Sequence, residues 1–318
     1  MHLGIAGEVR CVVTKADGNI KIDTGYQKNL ILNQGLDFFG GGKGLYMNAN
    51  CAIGSGNSSP AITQTKLDSF LAIASGSDTT SNYSYVDEGD GLYKMWEQRK
   101  YRFTNLDNVN ISEVGLVSQG GTTDYYLTTR ALIKDSSGAA GSISLKLGET
   151  LDIYYKIYKV IDTTDKSFVV NILDGAGGSV PYNMIVRPVL VGNNNTNSVS
   201  PSALIFPSNL KFTTSDLVAI ATFPSTGQVD AATAVTYSTY VAGSSKLVIT
   251  SSIGLNAANT TFRTLTTFIG AATGQNYAFF NVQIRFGRVS DDAPLTKTNK
   301  DTLSIPLEFS WGRYEGEL

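Results

Sequence analysis

Histidine occurs once in this chain, at position 2, and cysteine twice, at positions 11 and 51. That supply limits the available chemistry. A serine or cysteine nucleophile needs a neighbouring base, ordinarily histidine, so Ser–His–Asp and Cys–His arrangements are all but excluded, and His-based zinc sites with them. Carboxylates remain, and a glycosidase-type pair would need two of them facing one bond. The acids here gather instead in turn-like stretches, at Asp87-Glu88-Gly89-Asp90, Asp162 to Asp165 and Asp291-Asp292, and read as solvated turn carboxylates. The first of these lacks the ligand ladder of an EF-hand loop. Gly40-Gly41-Gly42-Lys43-Gly44 has the glycines and lysine of a phosphate loop. No Ser or Thr follows Lys43, however, and the run comes after a predicted helix where a phosphate loop would open one. It reads as a helix stop. No catalytic residue, metal ligand or cofactor is assigned, and no enzymatic activity is expected.

Two charges call for a different explanation. Glu113 in Ile111-Ser-Glu-Val-Gly-Leu116 and Arg130 in Leu127-Thr-Thr-Arg-Ala-Leu132 each stand alone in an apolar strand pattern. A buried charge needs a partner. These two are expected to pair across adjacent strands as a fold-specifying element. Lys94, Arg99, Lys100 and Arg102 are interleaved with Tyr93, Trp96 and Tyr101, a mixture able to bind single-stranded nucleic acid by charge and stacking. In a strand, Lys94, Lys100 and Arg102 share a face with Trp96, while Arg99 lies with Tyr101. That arrangement reads better as a polar sheet face, or as a contact to Asp87, Glu88 or Asp90 of a neighbouring subunit. The formal net charge of -2 gives no electrostatic reason to expect nucleic acid or an anionic membrane as partner.

The elements that would position these residues are mostly strands. Charged residues make up 16% of the chain, against about 25% in ordinary soluble domains. Thr, Ser, Asn and Gly take their place, which favours strands and turns over helices. A surface so poor in charge is either covered by neighbours in an assembly or simply hydroxyl-rich. No apolar run reaches the roughly 18 residues of a transmembrane helix, and the start of the sequence does not have the pattern of a signal peptide. Cys11 and Cys51 sit in apolar surroundings and read as buried free thiols, consistent with folding in a reducing cytoplasm.

Leu303, Ile305, Leu307, Phe309 and Trp311 alternate with Ser304, Pro306, Glu308 and Ser310, the period of a half-buried strand. Trp311 reads as a core anchor with Arg313 covering its ring. A similar alternation runs over Thr150–Tyr158. Two halves that each close on such a strand predict a mainly β chain of two tandem β-sandwich-like domains, the first with one or two short helices. The first domain spans 1–161, a linker 162–166, and the second domain 167–318. Helices are expected over Asn29–Phe39 and near Thr63–Ala74, with a hairpin turn at Asp17-Gly18. Further strands are expected from Glu8 to Thr14 through to Leu217–Phe223 and Phe279–Val289. Pro188 marks an edge strand or a bulge, because proline donates no ladder hydrogen bond.

One ordered set of segments is similar to a module of tailed-bacteriophage virion proteins. It comprises Lys28-Asn-Leu-Ile-Leu-Asn-Gln-Gly-Leu36, Cys51-Ala-Ile-Gly-Ser-Gly56 with Thr63-Gln-Thr-Lys-Leu67, the segments around Glu113 and Arg130, and Gly148-Glu-Thr-Leu-Asp-Ile-Tyr154. The stretch Thr298 to Arg313 resembles the C-terminus of such proteins. Order and spacing carry the likeness, which covers residues 5–160 and 280–314. It implies a structural component of the virion, in the tail, baseplate or collar, assembled in the bacterial host cytoplasm. Its partners would be copies of itself and other virion proteins. The resemblance transfers no catalytic residue. Two other roles stand beside this one. A capsid decoration or head-fibre protein would sit elsewhere in the same particle. A receptor module would bind a host-surface glycan through Trp96, Tyr83 or Tyr85.

Overall fold

The structure is a computed structural model, and it describes residues 2–40, 47–76, 82–87, 91–118, 125–135, 137–173, 177–189, 207–220, 222, 229–231, 234–270 and 278–318. The described residues are mainly β. The chain opens with β1 (His2–Thr14), β2 (Ile20–Asp23), β3 (Gln27–Lys28), β4 (Leu30–Ile31) and the short helix α1 (Asn33–Gly40). Next come β5 (Asn50–Gly54), β6 (Phe70–Ser75), β7 (Asn82–Asp87), β8 (Leu92–Phe103) and β9 (Val109–Ile111). They are followed by β10 (Glu113–Ser118), β11 (Tyr126–Leu127), β12 (Thr129–Leu132), β13 (Ile143–Leu145) and β14 (Thr150–Asp162). The second half holds β15 (Lys166–Leu173), β16 (Ser179–Val189), β17 (Pro207–Thr213), β18 (Val229–Ala231) and β19 (Ala234–Tyr237). It closes with β20 (Lys246–Ile253), β21 (Thr261–Phe262), β22 (Thr264–Gly270), β23 (Ala278–Arg288), β24 (Leu295–Thr296) and β25 (Leu303–Arg313).

Three large sheets result. A nine-stranded sheet runs β19-β20-β25-β1-β14-β8-β7, with β2 and β3 also on β1. A six-stranded sheet runs β4-β12-β10-β5-β6, with β11 on β10, and another runs β15-β16-β23-β22-β17-β18. Long antiparallel ladders join β1 to β14 and β14 to β8 in unbroken register. Apolar side chains of β1 and β14, among them Val9, Cys11, Ile153 and Ile157, enter the core, and one buried cluster joins them to Phe212, Ile249, Ile284, Phe309 and Trp311.

The nine-stranded sheet draws on both halves of the sequence. β25 lies parallel to β1, with Leu3 opposite Trp311 and Ile5 opposite Arg313, and antiparallel to β20 on its other side. Ladder hydrogen bonds thus join segments from both sides of the division expected at 162–166. Those five residues make a tight turn between β14 and β15. There the Thr164 N–H bonds Asp162 Oδ1 at 2.9 Å, and Lys166 Nζ reaches Asp162 Oδ2 at 2.5 Å.

Several local expectations need correction. No helix forms over Thr63–Ala74; turns lead into strand β6. The backbone N–H groups of Asp68 and Ser69, which a helix would use internally, are taken by the carboxylate of Glu113. α1 starts at Asn33 because Leu30 and Ile31 pair with Arg130 and Thr129 as strand β4. Residues 217–220 are irregular where a strand was expected from Leu217 to Phe223; Phe223 itself lies outside the described residues. The Val218 N–H donates to Gln283 Oε1 at 2.9 Å and its carbonyl accepts from Arg187, so side chains take the bonds a ladder would have used. Gly18 adopts φ +87° in the hairpin turn, the left-handed region that glycine reaches without strain. Pro188 pairs with Val282 of β23, while β15 ends its pairing with β16 at Val186. Among the described residues β15 does not reach the side where this proline lacks a donor. Both cysteines are free and buried, and burial raises both thiols, Cys11 to about 12.

Candidate functional site

Glu113 on β10 and Arg130 on β12 are fully buried, with Arg130 Nη2 2.8 Å from Glu113 Oε2. Around them the 55–69 loop is pinned to the sheet. Glu113 Oε1 accepts from the N–H groups of Gly56 at 3.0 Å and Ser69 at 2.8 Å, and Oε2 accepts from Asp68 N–H at 3.2 Å. Arg130 donates through Nη1 to the Ser58 carbonyl at 3.1 Å and Gln64 Oε1 at 2.9 Å, and through Nη2 to Asp68 Oδ2 at 2.7 Å. The Ser58 hydroxyl and the Arg130 charge hold the Asp68 carboxyl below its usual range. A Cβ on Gly56 would stand 2.4 Å from Glu113 Oε1, so only glycine admits the carboxylate here. Both carboxylate oxygens and Arg130 Nη1 hold backbone, while Arg130 Nε and Nη2 bind the carboxylates of Glu113 and Asp68, and the arrangement is a structural clamp.

Trp311 on β25 is buried, and its Nε1–H donates to the Leu36 carbonyl of α1 at 2.8 Å. Its ring stacks on Tyr240, with centroids 5.8 Å apart. Arg313 does not cover that ring. It donates to the Ile31 carbonyl at 2.5 Å and to Asn33 Oδ1 at 2.6 Å. One indole therefore ties β25, α1 and the segment before β20 together.

On the outer face of the nine-stranded sheet, aromatic and cationic side chains interleave across strands. Lys156 Nζ lies 4.1 Å from the Tyr26 ring centroid and 4.8 Å from that of Trp96; Lys100 and Arg10 approach Tyr154. Arg102 grips Asp152 with two bonds of 2.7 Å, and burial is offset by these cations, which keep that carboxyl low. Arg99 lies on the opposite face, its Nε 2.8 Å from buried Glu97. The sheet's own carboxylates and rings thus engage much of this positive charge. The residues Gly41–Gly44, Glu88–Asp90 and Asn193–Asn197, and the side chains of Tyr83, Tyr85 and Asp87, lie outside the described residues.

Lys159 is one of several further buried charges, with Glu97 and Lys297 among them. It occupies the core-facing parity of β14 in the series Ile153, Tyr155, Ile157, Lys159, Ile161, and that break in an apolar series was the available signal. Burial lowers its ammonium to about 7, opposed by the Glu97 charge. Between about pH 7 and the unfolded value near 10.4, the unfolded chain binds a proton that the folded chain does not. This group's contribution to stability therefore rises with pH in that window, by up to about 1.4 kcal/mol per unit. Lys159→Met should remove the slope. Urea melts of both proteins at about pH 7.5 and 9.5 test this, and an equal pH dependence in the two would refute it.

The second six-stranded sheet ends on β15, which among the described residues pairs only with β16. Its register with β16 is unbroken over eight residue pairs. Phe168, Val169 and Leu173 are exposed to 52%, 65% and 79%. Beside it, a cleft of about 620 Å³ opens between this sheet and β25, walled by Phe168, Val170, Met184, Val186, Leu307 and Phe309. A regular strand with unpaired backbone groups and apolar side chains can accept another strand. Nothing in the sequence pattern of this strand signals that it ends a sheet.

No protein-family model, curated protein or solved structure matches this chain. The reading of its role thus rests on its own residues. Among the described residues no group of three or more His, Cys, Asp or Glu side chains could hold a metal ion, and no helix is long and apolar enough to cross a membrane.

Proposed function

We propose that this chain is a structural component of a tailed-phage virion, assembling with itself and with neighbouring proteins in the tail, baseplate or collar. The observation that carries this reading is the edge of β15, which among the described residues has no neighbour strand besides β16. Proteins that live as monomers guard such edges with charges, prolines, bulges or short strands. β15 has an unbroken register, no proline and three large apolar side chains in the open, a condition suited to an edge that is covered on assembly. The ordered segments that resemble virion proteins supply the kind of assembly. The low charged fraction of the chain, 16%, agrees with extensive coverage by neighbours. Against a glycan-binding role, Trp96 has Lys156 packed against its ring, which competes with sugar stacking.

Immunogold labelling of purified particles tests the proposal, with label expected on the tail. Label on the head would move the chain to a decoration or head-fibre role. Particles that carry no label at all would sink the virion reading.

A further inference from the structure

Resting on the reading of this chain as an assembly component, we propose that β15 pairs with β15 of a second copy. The two strands would run antiparallel across a twofold axis at Val169, joining the two six-stranded sheets edge to edge. Twofold symmetry places residues equidistant from the axis opposite each other on one face of the joined sheet. For the first two rungs outward from Val169 the sequence of this strand matches itself, and beyond them Lys166 stands opposite Ile172. Phe168 meets Val170, an aromatic against a β-branched residue, and Ser167 meets Asn171, polar against polar. Phe168 and Val170 also wall the apolar cleft, so Phe168 of one copy beside Val170 of the other extends that wall.

Charge does not oppose the contact. Lys166 is the only charged residue on β15, and lysine is a common guard of strand edges. Here its ammonium is drawn back onto its own chain, 2.5 Å from Asp162 Oδ2 and 2.7 Å from Thr164 Oγ1. Among the described residues the other sheet ends are shorter or interrupted: β7 has six residues and β4 two. β18 and β19 have three and four residues, and the pairing of β6 with β5 is interrupted by a register shift. An eight-residue edge is only about 26 Å long. By itself it buries less than the roughly 800 Å² per partner of a standard interface. The free protein should therefore dimerise weakly, with a Kd on the order of micromolar, and the assembled particle should reinforce the contact.

The register makes this testable by cross-linking. At the axis, two copies of residue 169 have Cα atoms about 4.5–5.5 Å apart, within the roughly 4.4–6.8 Å span of a disulfide. Two copies of residue 173 lie eight rungs apart, about 26 Å. Under mild oxidation Val169→Cys should form a covalent dimer and Leu173→Cys should not. The native Cys11 and Cys51 are buried and do not compete. In light scattering, the wild-type mass should rise with concentration, and Val169→Lys, which sets two ammonium groups face to face, should weaken dimerisation about tenfold or more. Val169 is well exposed, so these variants leave the fold intact. A wild-type protein that stays monomeric to about millimolar concentration, or equal cross-linking at positions 169 and 173, would overturn the proposal. The two readings fail separately. Particles labelled by antibody with a chain that never pairs would remove the dimer alone, while a 169-specific dimer on unlabelled particles would remove the virion role alone.

Discussion

Glu113→Ala should destabilise the fold by about 3–5 kcal/mol, the cost of breaking a buried ion pair and leaving Arg130 only the partly exposed Asp68. The loss exceeds that of a surface pair because several groups are stranded together. Arg130 keeps its charge inside the protein, and the N–H groups of Gly56, Asp68 and Ser69 lose their acceptor. Urea melts followed by far-UV circular dichroism measure the difference. A loss below about 1 kcal/mol, as found for exposed pairs, would show that the clamp contributes little. Glu113→Gln separates charge from geometry. It retains an acceptor for the loop amides and removes one of the two carboxylates on Arg130, leaving Asp68, so it should fall between wild type and alanine. Hydrogen exchange should report the same order at Gly56 and Ser69, where protection depends on the side chain at 113.

Trp311→Ala is expected to cost a similar amount, about 3–5 kcal/mol, through the cavity left by a fully buried indole. Its local consequence differs. Trp311 is opposite Leu3 in the parallel pair and bonded to Leu36, so its removal loosens the seam between β25 and the first half. Trp311→Phe keeps a ring on Tyr240 but leaves the Leu36 carbonyl without its donor, and should lose about 1–3 kcal/mol. If alanine and phenylalanine gave equal losses, packing of the indole would not be what holds the seam. Limited proteolysis at the 162–166 turn should accelerate in the alanine variant and stay slow in the phenylalanine one.

How far these features were legible depends on whether their cause is local. Alternation of apolar and polar residues is a local property, and it marks β14 and β25 with small errors at the ends, but it finds only the second half of β1, from Glu8, where the strand begins at His2. The lone charges at 113 and 130 were legible because an apolar setting demands a partner, and the structure places the two side chains together. The 63–74 segment failed for the opposite reason. Leu67 and Phe70 have helical spacing, but the loop's amides are claimed by a carboxylate more than forty residues away in sequence. Arg313 went astray likewise, drawn to the Ile31 carbonyl and Asn33 by a contact no neighbouring residue announces. Lys159 was visible in principle, since one charge interrupts an otherwise apolar series in β14. Edge position was not visible at all, because which strand ends a sheet depends on every other strand.

The parallel pairing of β1 with β25 sets the order in which this protein can be made. β1 leaves the ribosome long before β25, the strand that lies along its first residues and is separated from it by some three hundred residues. Until that strand arrives, one side of β1 near Leu3 and Ile5 has no neighbour in the sheet. Contacts so distant in sequence slow folding and lengthen the exposure of sticky intermediates. Nascent chains of this protein should therefore depend on chaperones late in synthesis, and a ribosome stalled just short of residue 303 should hold a chain that is folded in parts but not closed.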